Sequence, residues 1–231
     1  MKNTIVNRMA TVKIARALGE LNRQVVFVGG AMVSLYIDDP SAEDIRPTKD
    51  IDLTFKITTV SQLEELRQAL TDKGFHEQAD AKVICRFIFE EMLVDVMSTQ
   101  DIGWAPGNRW FAAGFDQAIT VRLEDVDVRV LPLLYFMASK LDAFYDRGIQ
   151  DVYASHDLED LVYLFNYSTG LVEQILNADD EKVKFYLLES IKKISEDDRI
   201  MNALPGHLYY EGADERMEII TDKMKAIING L

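Results

Sequence analysis

Asp50 and Asp52 alternate with Ile51 and Leu53. On an extended strand, residues two apart share a face, so the apolar pair can enter a core while both carboxylates point the same way. Carboxylates held that close repel each other unless a cation sits between them. Hard oxygen donors of this kind suit magnesium. A solvated acidic face on an amphipathic edge strand produces the same alternation. Asp95 is a third acidic position, inside the apolar run Leu93-Val94-Asp95-Val96-Met97. Aspartate is depleted in strands, so a charge there either faces solvent or serves a site. Gly29-Gly30 closes the run Val25–Val28. Two glycines at a strand-to-helix turn let backbone N–H groups approach a phosphate at the positive end of a helix, and equally they make a plain tight turn. Ser34, one turn on, either adds a hydroxyl to that turn or faces solvent.

Taken together, a phosphate-binding turn and three carboxylates are the parts of a two-metal nucleotidyl transfer. Such a site bridges a triphosphate, activates an attacking hydroxyl and stabilises departing pyrophosphate. Asp50 and Asp52 are then expected to hold two Mg²⁺ ions. Asp95 is expected to complete the ion at the acceptor hydroxyl and to take its proton.

These residues need elements to position them. Apolar residues Ile5, Met9, Val12, Leu18 and Leu21 predict a helix over Thr4–Leu21. Val25–Val28 reads as a buried strand, Ala31–Ile37 as helical, and Asp38–Lys49 as a loop. Ile51–Ile57 is a strand. Ser61, three residues before Glu64, predicts a capped helix to Lys73, stopped at Gly74. Val83–Phe89 and Met92–Met97 form a hairpin about Glu90-Glu91, and two more strands are expected at Ala118–Leu123 and Val126–Val130. Pro132 opens a helix to Arg147, halted at Gly148. Ser155 caps a helix over Asp157–Tyr167, and Glu181–Ile194 and Ala213–Ile228 continue the helical part. The expected fold is α+β: a small mixed sheet with flanking helices over residues 1–131, then a helical bundle over 132–231.

With these residues in view, the sequence resembles the nucleotidyltransferase superfamily of the DNA polymerase beta type, whose motif joins an apolar residue, Gly, Gly or Ser, a spacer and Asp-x-Asp. Within it the chain resembles the AbiEii/MenT-like branch, linked with abortive infection and toxin–antitoxin systems. That branch's Arg-x-Ser/Thr-x-Asp-x-Asp pattern stands here as Arg46-Pro47-Thr48-Lys49-Asp50-Ile51-Asp52. Its C-terminal pattern stands as Ser139-Lys140-Leu141-Asp142-Ala143-Phe144, then Arg147-Gly148 and Ser155-His156-Asp157-Leu158-Glu159-Asp160-Leu161. The resemblance spans residues 24–165. It implies nucleotide contacts from Gly29, Gly30, Ser34, Arg46, Thr48, Lys140 and Asp157, with Lys140 on the triphosphate and Asp157 arranging Lys140 or the nucleotide. The spacer from Gly30 to Asp50 is longer than the minimal superfamily motif. Without the resemblance, Lys140 is a surface lysine on an amphipathic helix, and Asp157 and Asp160 are acids at a helix start. Arg46 and Arg147 suit a phosphate or a neighbouring acid.

Composition narrows the partners. The 231 residues carry 25 Lys and Arg against 39 Asp and Glu, a net charge of −14. Such a chain repels phosphate backbones as a whole, which speaks against broad nucleic-acid binding and leaves a local groove open. The single Cys85 excludes an internal disulfide framework and fits a reducing cytoplasm. Met1–Met9 holds Lys2 and Arg8 and no apolar core, so no secretory signal is expected. No apolar run is long enough to span a membrane. His76, His156 and His207 lack metal-ligand spacing, and Trp104 and Trp110 read as packing residues in a loop. The leading expectation is an enzyme moving NMP from an NTP to an acceptor hydroxyl. The acceptor is a tRNA 3′ end, a protein or a small molecule, and an antitoxin is the partner the resemblance implies. The competing expectation is a non-catalytic nucleotide-binding or interaction module on the same fold, and such a module should lose one of the three carboxylates.

Overall fold

Four consecutive residues, Val25–Val28, are all buried, which requires a strand covered on both faces and places it inside a sheet. The computed structural model describes residues 2–77 and 85–230. The chain divides into two compact units. One comprises Met1–Ser34 with Asp44–Pro132, and the other comprises Leu35–Glu43 with Leu133–Leu231. The segment Leu35–Glu43 therefore leaves the first unit and joins the helical one.

The first unit contains a seven-stranded mixed sheet among the described residues. Its strands are β1 (Val25–Val28), β2 (Asp50–Phe55), β3 (His76–Glu77), β4 (Arg86–Phe89), β5 (Met92–Ser98), β6 (Ile119–Leu123) and β7 (Val126–Val130). Their order is β3-β4-β5-β2-β1-β7-β6. β2 runs antiparallel to β1 and parallel to β5, and β1 runs parallel to β7. Val83 and Ile84, expected to begin β4, lie outside the described residues. Helices α1 (Asn3–Leu18), α2 (Val60–Asp72) and α3 (Arg109–Gly114) complete this unit.

Several local expectations shift. The buried stripe of α1 is Asn7, Thr11, Val12, Ile14, Ala15 and Leu18, whereas Ile5 and Met9 are exposed. The helix ends at Leu18 and a 3₁₀ turn covers Gly19–Arg23. Gly30–Tyr36 is likewise a 3₁₀ turn rather than an α-helix. The cap of α2 is Thr59, not Ser61: the Thr59 hydroxyl accepts from the Gln62 N–H at 3.2 Å, and Gln62 Oε1 accepts from the Thr58 N–H at 3.0 Å. The Thr59 cap satisfies one orphan donor of the helix, and Gln62 reaches back to the chain just before it, so this start displaces the alternative two residues later. Ser61 instead donates to Glu65 inside the helix. Trp110 lies in α3 and is buried.

The second unit is helical. It contains α4 (Leu133–Asp146), α5 (His156–Tyr167), α6 (Leu171–Leu176), α7 (Glu181–Glu196), α8 (Asp198–Ala203) and α9 (Ala213–Asn229). Pro132 immediately precedes α4, where its fixed φ suits a helix start. The Ser155 hydroxyl accepts from the Leu158 N–H at 3.2 Å, as its cap position predicts. Phe136, Phe144, Phe165, Leu141, Leu187, Ile191 and Ile220 are buried in this unit. Leu35–Glu43 is fastened here. Tyr36 packs on Phe136 with ring centroids 4.6 Å apart, and the Asp38 carboxylate accepts from both the N–H and the hydroxyl of Thr169 at 2.7 Å. No helix among the described residues is long and apolar enough to cross a membrane.

Candidate active site

The register of three adjacent strands decides where the acidic residues meet. Asp52 is paired with Asp95 across the parallel β2–β5 ladder, and Asp50 with Leu93. Paired residues in neighbouring strands share a face, as do residues two apart along one strand. Asp50, Asp52 and Asp95 therefore occupy one face of the sheet. Arg86 is paired with Asp95 across the antiparallel β4–β5 ladder, so it joins them.

Arg86 was not among the residues singled out from the sequence, yet it organises this face. Its Nε donates to Asp95 Oδ1 at 2.6 Å and its Nη2 to Asp95 Oδ2 at 2.7 Å. Nη2 also donates to Asp50 Oδ2 at 3.0 Å. The fork-on-carboxylate geometry is the strong form of this ion pair. The Arg86 side chain is 21% exposed and that of Asp95 13%, so water screens the pair only partly. The hydrogen bonds that Arg86 donates to Asp95, with the charges of Asp95 and Asp50, raise the Arg86 pKa further above its already high value and outweigh the opposing effect of burial. Cys85, next in the chain and buried, has its thiol pushed up to about 11, first by burial and then by the charge of Asp95. It is a thiol at neutral pH and a poor nucleophile.

The glycine turn lies against the same carboxylates. Gly29 has φ +73°, in the left-handed region that favours glycine. A Cβ at Gly29 would lie 1.7 Å from Asp52 Oδ2. A Cβ at Gly30 would lie 2.3 Å from an Arg46 Nη atom and 3.0 Å from Thr48 Cγ2. The absence of a Cβ at Gly29 and Gly30 makes room for Asp52, Arg46 and Thr48. The Thr48 hydroxyl donates to Asn7 Oδ1 at 2.9 Å. Asn7 is a second residue that sequence reasoning missed. Its signal was a polar residue on the stripe Asn7, Thr11, Ile14 and Leu18, at helical spacing. Ser34 is buried, and its hydroxyl has no hydrogen-bond partner among the described residues. A buried hydroxyl in that state is costly unless a ligand or water completes it.

Among the described residues, no three His, Cys, Asp or Glu side chains are arranged to hold a metal ion. Arg86 engages both oxygens of Asp95 and one of Asp50. The donor set still fits magnesium in kind, being carboxylate oxygens gathered on one sheet face. The guanidinium between Asp50 and Asp95 shows that this gap already draws a cation.

An open cleft of about 670 Å³ in the first unit lies elsewhere. It is lined by Arg23, Lys56, Phe115 and Arg129 among others, around the C-terminal end of β2, whereas Asp50 and Asp52 stand at its start.

Lys140, Arg147, Asp157 and Asp160 form a second cluster, within the helical unit. Lys140 is buried. Its Nζ lies 2.7 Å from Asp160 Oδ2 and 3.3 Å from Asp157 Oδ1. Arg147 Nε donates to Asp157 Oδ2 at 2.9 Å, and its Nη2 to Asp157 Oδ1 at 3.2 Å. Two cations thus face two carboxylates. Burial pushes the Asp157 carboxyl up, but Lys140 and then Arg147 more than reverse this, leaving it below the usual carboxylate range. Lys140 is no surface lysine. Any phosphate reaching it competes with two buried aspartates.

A family model described as "Nucleotidyl transferase AbiEii toxin, Type IV TA system" matches residues 14–230. Five chains of solved structures match, one being the crystal structure of an antigenic nucleotidyltransferase-like protein from Paracoccidioides brasiliensis. That chain is 13% identical, with a TM-score of 0.47 over 93% of this chain and 97% of that one. Comparison with curated proteins gives no match. The family defines a nucleotidyltransferase. More particularly, the chain belongs to the AbiEii nucleotidyltransferase toxin family of type IV toxin–antitoxin systems.

Proposed function

We propose that the protein transfers NMP from an NTP to an acceptor hydroxyl, with Mg²⁺ held at the Asp50, Asp52 and Asp95 face. The observation that carries this reading is the register of Asp52 against Asp95, with Asp50 on the same face. In the reaction, the acceptor oxygen bonds to the α-phosphorus, the bond from that phosphorus to the bridging oxygen breaks, and pyrophosphate leaves with the electron pair. Mg²⁺ held there, two ions in this proposal, would neutralise the triphosphate and acidify the hydroxyl. Asp50 and Asp52 hold and orient that charge, and Asp95 takes the hydroxyl proton. The turn at Gly29 and Gly30, with the unsatisfied Ser34 hydroxyl, contacts the nucleotide from β1. Arg46 and Thr48 flank that turn. Lys140 serves the triphosphate, with Asp157 orienting its ammonium.

The acceptor we favour is a tRNA 3′ end, within a cytoplasmic toxin–antitoxin pair whose antitoxin is the partner. Support for the pairing is the family itself. The test is incubation with each α-labelled NTP and Mg²⁺, offering total tRNA, a protein lysate and a metabolite extract separately. Label entering tRNA supports the proposal. Label entering protein or metabolites reassigns the acceptor. No label in any pool, with nucleotide binding intact, favours a non-catalytic binding module.

A further inference from the structure

Three observations concern Arg86. It is charge-paired with two of the carboxylates assigned to the metal. It meets Asp95 from the neighbouring strand in fixed register and reaches across β5 to Asp50 on β2, so the pairing with Asp95 is built into the sheet. Its two contacts differ: Asp95 is held by two short bonds of 2.6 and 2.7 Å, and Asp50 by one of 3.0 Å. A guanidinium in this position does electrostatically what a divalent ion would do, since it relieves the repulsion of carboxylates crowded on one face. It also takes the oxygens that an ion needs, and any ion entering beside it meets a like charge at short range.

We propose that Arg86 is the resident counter-ion of the carboxylate face and competes directly with the divalent metal for Asp50 and Asp95. A metal entering there would have to displace the single bond from Arg86 to Asp50 and compete with the fork on Asp95. Arg86 therefore sets the metal affinity of the site low and holds the metal-free sheet face together. A neutral residue at position 86 leaves the carboxylates uncompensated without metal and unopposed with it. This inference rests on the assignment of Asp50, Asp52 and Asp95 as metal ligands.

The test is titration of the nucleotide-free full-length chain with Mn²⁺, read by calorimetry and by the paramagnetic signal of free Mn²⁺. Wild type, Arg86→Gln, Arg86→Lys and Asp50→Asn are compared, with folding of each verified by circular dichroism. Arg86→Gln is expected to bind Mn²⁺ roughly tenfold tighter or more, from removal of one positive charge a few ångströms from a divalent ion. Its melting temperature should fall without metal and rise further than that of wild type when Mn²⁺ saturates. Arg86→Lys keeps the charge without the fork and should lie between the two; it carries the test if the glutamine variant does not fold. Equal or weaker Mn²⁺ binding by folded Arg86→Gln or Arg86→Lys overturns the inference. It would show that Arg86 is neutral toward the metal or orients the carboxylates for it. If wild type, Arg86→Gln and Asp50→Asn all fail to bind Mn²⁺, the metal assignment itself falls and takes this inference with it. If wild type binds and Asp50→Asn does not, that assignment stands whatever position 86 does.

Discussion

Asp52 and Asp95 stand directly opposite each other on parallel neighbouring strands. The pairing is a matter of register. A slip of one residue in either strand would send one of the two carboxylates to the far face of the sheet. The apolar residues that alternate with them hold that register, because Ile51, Leu53, Val94 and Val96 are all buried. Packing of one face thus fixes the chemistry of the other.

The first prediction concerns the carboxylates. Asp50→Asn and Asp52→Asn keep size and hydrogen-bonding capacity while removing charge. Both positions are only partly buried, so the fold should hold. Incorporation of α-labelled nucleotide should fall by about 10²–10³-fold or more, as when a principal electrostatic stabiliser is lost. Unchanged incorporation in either variant removes that residue from the proposed machinery.

A second prediction concerns Gly29. Alanine there suffers twice: its φ of +73° is unfavourable for any residue with a Cβ, and that Cβ would collide with Asp52 Oδ2 at 1.7 Å. Backbone strain of this kind costs about 1–3 kcal/mol. Urea denaturation should register that loss. Because the colliding atom belongs to Asp52, transfer activity should fall well beyond what the lost stability explains. A variant destabilised but fully active per folded molecule would separate the turn from the carboxylate.

Much of this was legible in the sequence, for identifiable reasons. The Asp50–Asp52 alternation and the Asp95 interruption are local, period-two signals, and they mark strands well. The Ser155 cap is a one-residue signal with one physical outcome. What was hidden is non-local. The hairpin turn at Glu90-Glu91 already sets Arg86 opposite Asp95, but the reach of Arg86 to Asp50 depends on β2 lying beside β5, which no spacing along the chain encodes. Asn7 matters because it receives Thr48 from 41 residues away. The departure of Leu35–Glu43 to the helical unit depends on tertiary partners such as Phe136 and Thr169. Helices α3, α6 and α8 have six residues each, too few turns to show a period.

Lys140 yields a third prediction. Removing one partner from a buried ion cluster leaves charge uncompensated and costs about 3–5 kcal/mol. Lys140→Ala should lower stability by that order, and adding Asp160→Asn should recover part of it, since the two groups are coupled at 2.7 Å. The proposed triphosphate role adds a second expectation: at temperatures where the variant is folded, nucleotide affinity should fall more than Mn²⁺ affinity. Unaltered nucleotide affinity would confine Lys140 to holding the helices.

The last prediction is a pH dependence with a definite sign. Asp157 has its carboxyl pKa depressed in the folded protein by Lys140 and Arg147, against the upward push of burial. A depressed folded value means that the unfolded chain takes up the proton first as pH falls. The stabilisation from this group is therefore complete above the unfolded value of about 3.9. It is lost as pH drops from there through the lower folded value. Urea midpoints of wild type and Asp157→Asn should differ by a constant amount from neutral pH down to about pH 5, above the titration window. The gap should then close as acid protonates Asp157 in wild type. A gap that widens toward acid would mean that the folded carboxyl is raised, and that the buried pair holds a proton in place of a charge.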